Sequence, residues 1–163
     1  MPTTTTRALL ARVVDYREAD RICDLLCETE GRIPVIARGA RRSRKRFGGA
    51  LSLFVLGEAT IRTSNRSGGG GMATLERFDC LEDMAPALTR DVVAVAHGSY
   101  ILELARELWP EAQPDPTCFH LVWDALRALA AGDPSPALLR CFELRLLETV
   151  GLAPSLVRCV GCG

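Results

Sequence analysis

A chain of 163 residues with 48% apolar and 25% charged side chains has the aliphatic content of a packed core, which excludes general disorder. Its formal charge is zero, yet residues 1–79 carry 14 Lys+Arg against 9 Asp+Glu while residues 80–163 carry 6 against 11. That asymmetry implies a polyanionic partner for the first half, or else neutralisation of one half by the other across an interface.

The start of the chain, Met1, Pro2 and then Thr3 to Thr6, has neither the charged start nor the apolar stretch of a signal peptide. The best apolar run, Val92 to Ala96, is far short of the ~20 residues that a spanning helix needs. Seven cysteines, an odd number at irregular spacings, argue against a secreted disulfide framework. The expectation is a cytoplasmic protein without membrane association.

The first half reads as short strands. Arg7 to Val14, Ile22 to Cys27 and Arg32 to Ala37 are rich in Val, Ile and Leu and are broken at Asp15, Gly31 and Gly39. Pro34 cannot donate a ladder hydrogen bond, so the third of these belongs at an edge or a bulge. In Leu51 to Ile61 one face collects Leu51, Leu53, Val55, Ala59 and Ile61, the alternation of a half-buried strand. Ser67 to Gly71 reads as a flexible hairpin connection into a last strand from Met72 to Leu81. Five short strands predict a small barrel.

Beyond Asp83 the period becomes helical. Val93, Ala96, Tyr100, Leu104 and Leu108 predict one apolar stripe, widened by Ile101 and closed by Pro110. Asp115 with Pro116, and Ser135 with Pro136, each read as an N-cap followed by proline at the first helical position. The second helix carries Phe119, Val122, Leu126 and Leu129 before Gly132, and the third carries Leu139, Phe142, Leu146 and Val150 before Gly151. The expected division is a β-rich domain over residues 1–81 and a helical domain over residues 82–163.

The densest functional signal is Arg38, Arg41, Arg42, Arg44, Lys45 and Arg46, six cations in nine residues, followed by Phe47. Such a run repels itself unless an anion compensates it, and the planar fork of arginine suits phosphate. The reading is nucleic-acid contact, against a solvated loop or a protein-facing patch. Aromatic side chains are scarce: Tyr16, Phe47, Phe54 and Phe78 are all that the first half offers. Backbone electrostatics should therefore dominate over base stacking, with Phe47 the expected stacking side chain.

Cys159 and Cys162 have the spacing of half a zinc site, and no second pair follows. Cys23 and Cys27 share a strand face and read as core. Asp15, Glu18, Asp20 and Asp24 read as exposed strand and turn positions rather than a metal site. No nucleophile elbow or phosphate-binding glycine loop is present in the sequence, so no enzymatic activity is expected.

Three segments carry a resemblance to a known family: Val13 to Ile22 (VVDYREADRI), Gly31 to Leu51 (GRIPVIARGARRSRKRFGGAL), and Phe142 to Pro154 (FELRLLETVGLAP) leading into CVGCG. In order and spacing they resemble the RecO family of bacterial recombination mediators. The resemblance implies an N-terminal OB barrel, a helical domain and, in many members, a zinc module. It also implies binding of single- and double-stranded DNA, strand annealing, and help in loading the RecA recombinase onto DNA coated by single-strand-binding protein. The implied partners are RecR and the acidic C-terminal tail of that coating protein, with a nucleoid-associated location. Arg38, Arg41, Arg42, Arg44, Lys45 and Arg46 match the family's DNA-binding region, and Cys159 and Cys162 match its first zinc pair. Family members continue past this pair, so the resemblance implies a truncated chain with an incomplete zinc site. The rival readings are an interaction adaptor whose barrel binds protein, and a metal-dependent nuclease built on the N-terminal carboxylates. An acidic peptide ending in an apolar residue would dock on the helical domain beside Arg127, Arg140 or Arg145.

Overall fold

The computed structural model describes residues 2–48, 51–63, 72–158 and 161. The chain builds β1 (Thr3–Tyr16), β2 (Asp20–Cys27), β3 (Gly31–Ala37), a one-turn α1 (Arg44–Phe47), β4 (Val55–Arg62) and β5 (Ala73–Asp83). Then follow a one-turn α2 (Ala85–Leu88), α3 (Val92–Leu108), α4 (Pro116–Ala130) and α5 (Pro136–Thr149). The strands close into a barrel in the order β1-β2-β3-β5-β4, as expected for an OB-like fold. All neighbours are antiparallel except β3 and β5, which meet in parallel only at Val35–Ala73 and Ile36–Thr74. Pro34 pairs in register with Asp24 of β2, so the missing donor sits where the other side of β3 is not yet joined to β5.

Alternation along the strands divides the apolar residues between two cores. Ala8, Leu10, Cys23, Leu25, Cys27, Val35, Val55, Ala59 and Ile61 fill the barrel. Their neighbours Leu9, Ala11, Leu26 and Leu56 face outward into a second core, shared with the helices. This is why β1 and β2 read as nearly continuous apolar runs: each is buried on both faces along part of its length.

The strand expected over Leu51 to Ile61 begins only at Val55. Phe54 just before it adopts φ 69°, turns out of the barrel and packs in the helical core. There a Cβ on Gly98 of α3 would stand 2.8 Å from the Phe54 ring, so the small residue is what lets the helix approach. The expected stripe on α3 is rotated for the same reason. Its buried face is Ala94, Gly98, Ile101, Leu102 and Ala105, while Val93 and Tyr100 are exposed. Small residues were passed over in favour of larger ones because α3 is apolar around most of its circumference, and only close packing on the barrel selects a face.

The other two long helices follow the sequence. The Asp115 side chain accepts from the Thr117 and Cys118 amides, and the Ser135 side chain accepts from the Leu138 amide. Both caps satisfy donors that a helix start leaves unpaired, each worth about 1 kcal/mol. Phe119, Val122, Leu126, Leu129, Leu139, Phe142 and Leu146 are all buried.

Polar contacts lock the helices onto the barrel. Arg7 on β1 makes a two-pronged hydrogen-bonded ion pair with Glu28, and His120 Nε2 of α4 lies 3.1 Å from the same carboxylate. The Arg7 hydrogen bonds hold the Glu28 carboxyl below the usual carboxylate range, although its partial burial opposes this. Trp123 is flanked by the guanidinium carbons of Arg7 at 5.4 Å and Arg127 at 5.5 Å, and its indole N–H donates to Glu82 at 3.0 Å. Asp24, expected to be an exposed strand position, is instead buried and paired with Arg106 of α3 at 3.5 Å.

The α3–α4 connection crosses the start of β3. The Ala112 amide donates to the Arg32 carbonyl at 3.0 Å, and Arg32 Nε donates to the Trp109 carbonyl at 3.1 Å. Gly31 sits under this crossing at φ 73°, and a Cβ there would fall 2.6 Å from the Gln113 carbonyl carbon. Gly31→Ala therefore combines a left-handed backbone with a clash against main chain. The expected loss of stability in urea denaturation is about 1–3 kcal/mol.

Candidate nucleic-acid interface

The basic segment leaves β3 at the mouth of the barrel and folds against the β1–β2 turn. Gly39, at φ 65°, donates its amide to Asp20 Oδ1 at 2.8 Å, and the Arg41 amide donates to the Ala19 carbonyl at 3.1 Å. Arg41 Nη1 reaches the Glu18 carbonyl at 3.2 Å, while its Nε lies 3.9 Å from Asp15. Arg42 and Ser43 amides both donate to the Gly39 carbonyl, closing a turn that leads into α1. Arg46 donates from Nη2 to the Arg38 carbonyl at 2.7 Å and from Nε to Ser43 Oγ at 3.3 Å, tying the two ends of the segment together.

The carboxylates of the β1–β2 hairpin thus have a defined use. Asp15 pairs with Arg21 at 2.9 Å and lies near Arg41, Glu18 lies 3.9 Å from Arg42, and Asp20 anchors Gly39. With Asp24 held by Arg106, these four groups are not among any set of three or more that the described residues place to hold a metal ion. They also revise the argument from self-repulsion. Part of the compensation that the basic run requires comes from the protein's own turn.

The six cations therefore differ in role. Arg38, Arg41, Arg42, Lys45 and Arg46 are all exposed, and Arg41 and Arg46 in addition shape the segment through main-chain contacts. The backbone of Arg44 opens α1.

Phe47 does not fit its expected role. It is 2% exposed and lies in the barrel core with Leu51 and Phe78, with the Arg46 guanidinium 5.1 Å from its ring on the solvent side. A side chain plugging the barrel cannot stack on a base. The one-turn helix α1 is what carries it inward, and a segment of four residues leaves no periodicity in the sequence from which to read that.

The helical domain presents a groove of about 840 Å³ between α4 and α5, lined by Leu121, Ala125, Leu138 and Phe142 with Arg145 and Glu148 beside them. Of the three arginines named from sequence, it selects Arg145. Arg127 is turned to Trp123 and Glu82, and Arg140 pairs with Glu143 at 2.7 Å. Asp115 and Asp124 also line the groove.

Cys159 and Cys162 lie outside the described residues. Among the described residues no group of three or more His, Cys, Asp or Glu side chains is placed to hold a metal ion. Cys23, Cys27 and Cys118 are buried in apolar surroundings; burial pushes the Cys23 and Cys118 thiols up to about 12 and Cys27 upward as well.

A closed five-stranded barrel with a basic segment at its mouth and helices packed on its flank defines a protein of the OB-fold class. The sequence matches the families described as Recombination protein O N terminal over residues 1–83 and Recombination protein O C terminal over residues 89–163, and the chain belongs to the RecO family. A DNA repair protein RecO from Anaeromyxobacter sp. (strain K) is 42% identical over 155 residues, covering 95% of this chain and 59% of the relative. The proteins of the same name from Geobacter sulfurreducens and Listeria welshimeri are 36% and 30% identical, over 96% and 95% of this chain. The chain spans about 59% of the length of the first of these relatives. No helix among the described residues is long and apolar enough to cross a membrane.

The burial pattern predicts thiol reactivity. Alkylation of the native protein at pH 8, read by peptide mass spectrometry, should modify exposed Cys141 within minutes and leave Cys23, Cys27 and Cys118 unmodified.

Proposed function

We propose that this chain acts in DNA repair as a recombination mediator without catalytic turnover. It binds single- and double-stranded DNA through the basic segment and promotes annealing of complementary strands. The observation that carries the reading is the segment from Arg38 to Arg46, anchored at the barrel mouth by Asp20, Ala19 and Glu18, with Arg38, Arg42 and Lys45 left to solvent. Anchoring matters because a cation held in place loses less freedom when it meets a phosphate. Two strands that share these cations repel each other less, which is the physical content of annealing.

The finer activities follow the family: help in loading RecA onto DNA coated by single-strand-binding protein, with RecR and the acidic tail of the coating protein as partners. The α4–α5 groove suits the end of such a tail. Its apolar floor suits a terminal apolar side chain, and Arg145 on its lining offers a partner for a terminal carboxylate. Asp115, Asp124 and Glu148 line the same groove, so the acidic part of the peptide must run away from it. Cys159 and Cys162 would supply two of the four ligands of a zinc site.

Two measurements test it. Binding of an oligothymidine should weaken steeply with salt. Replacing Arg38, Arg42 and Lys45 with alanine should flatten the slope of log affinity against log salt by about two units, from roughly 0.7 per phosphate contact on a single strand. An unchanged slope in a folded triple variant would transfer the function to the adaptor reading, in which the barrel binds protein. For the groove, calorimetric titration with an acidic peptide ending in an apolar residue should give binding that Arg145→Glu abolishes and Asp124→Asn strengthens severalfold.

A further inference from the structure

The outward face of the β1–β2–β3 sheet is covered by helices at one end only. Leu26 lies in the helical core and Asp24 meets Arg106, whereas Ile22, two residues further along β2, and Ile36 beside it on β3 are partly buried and belong to neither core. Val13, Cys23, Val35 and Ala37 belong to the barrel core, so alternation turns Val14, Ile22 and Ile36 outward. The register pairs Val14 with Ile22 and Ile22 with Ile36, forming an aliphatic row across three strands. None of the three packs in either core, and Val14 is 40% exposed.

Tyr16 continues this face beyond Val14. It is 38% exposed, whereas Phe47, Phe54 and Phe78, the other aromatic side chains of the barrel, are at most 5% exposed. The Arg17 guanidinium carbon lies 5.1 Å from its ring centroid, and Arg17 itself holds φ 55° in the left-handed region, a conformation that accumulates at functional sites. Tyr16 pairs with Asp20, whose carboxylate binds the Gly39 amide of the basic segment. Two strand spacings therefore separate the tyrosine from that segment, on the order of 10 Å. Arg12 and Arg38, both exposed, flank the face.

We propose that Tyr16, with the row Val14–Ile22–Ile36, is the platform on which unpaired bases rest while the basic segment holds their phosphates. The inference rests on the DNA-binding function proposed above and adds to it a discrimination between strands. Bases in a duplex are already stacked and cannot reach a tyrosine, so the platform serves single strands alone. Charge complementarity names the occupant: Arg12, Arg17 and Arg38 border the apolar row, while the carboxylates of the same face, Asp20 and Asp24, are tied to the Gly39 amide and to Arg106, which suits a polyanion that also carries flat apolar rings. A chain with one accessible aromatic on its barrel has one place to stack them.

The test compares an oligothymidine with a duplex of equal length, by fluorescence anisotropy on the full chain, after thermal unfolding has shown each variant to be folded. Tyr16→Ala should weaken single-strand binding roughly tenfold, the scale of one lost base–aromatic stack. It should leave duplex affinity and the salt slope unchanged. Tyr16→Phe should retain binding, and Val14→Ser should weaken single-strand binding to a smaller degree. Photo-crosslinking of the unsubstituted protein to an iodouracil-containing oligonucleotide should give an adduct at Tyr16, a readout independent of any variant. Unchanged single-strand affinity in Tyr16→Ala, or an equal loss on duplex, would overturn the platform while leaving salt-dependent DNA binding in place. If the unsubstituted protein bound neither strand form, the DNA-binding function and the platform would both fall.

Discussion

The double burial of β1 and β2 is the constraint on which the rest of the molecule depends. A strand of a small barrel ordinarily gives one face to the core and one to water, but here Leu9, Ala11 and Leu26 on the outward faces are as buried as Leu10 and Leu25 inside. The helices supply the second burial, and the barrel supplies the surface that three short helices need for a core. Phe54 is the pivot of that arrangement. Its left-handed backbone swings it out of the barrel just before β4, and α3 approaches through Gly98 to receive it. Around this apolar contact the Arg7–Glu28–His120 and Arg106–Asp24 pairs set the orientation of the helices. Removing Arg106 would leave the buried Asp24 carboxylate uncompensated, which is why such pairs specify geometry more than they add stability.

The same docking decides where the functional surface can be. Helices cover the outward sheet as far as Asp24, so the open ends of β1, β2 and β3 remain, together with the turn that joins the first two strands and the basic segment that follows the third. The cations of the segment Arg38 to Arg46 are thereby gathered at one end of the barrel. The hairpin carboxylates do not cancel that field. Asp20 is used to fix the segment's backbone, and the contacts of Asp15 to Arg41 and of Glu18 to Arg42, both 3.9 Å, are the weak kind that a phosphate can replace. An acidic turn beneath a basic loop acts here as a mount.

Period and punctuation determined much of this protein directly. Strand alternation in Val55, Ala59 and Ile61, the Asp115–Pro116 and Ser135–Pro136 helix starts, and the apolar faces of α4 and α5 are local features whose physics is complete within a few residues, and the structure reproduces them. The clustering of Arg38 to Arg46 is equally local, and so is the family resemblance carried by its neighbouring motifs. What lay beyond reach were choices between faces of comparable apolarity. Which side of α3 is buried depends on Gly98 meeting Phe54, two residues 44 positions apart. Whether Phe47 or Tyr16 is the open aromatic depends on a one-turn helix folding into the barrel and on a hairpin projecting past the helical cover. Asp24 and Asp20 read alike in sequence, yet one is buried against Arg106 and the other holds a loop. The sequence by itself determined most of the strands, the long helices and the basic segment, because those follow from interactions among near neighbours. Only the tertiary structure decided which side chains remain available to a partner, because exposure is set by contacts between residues far apart in the chain.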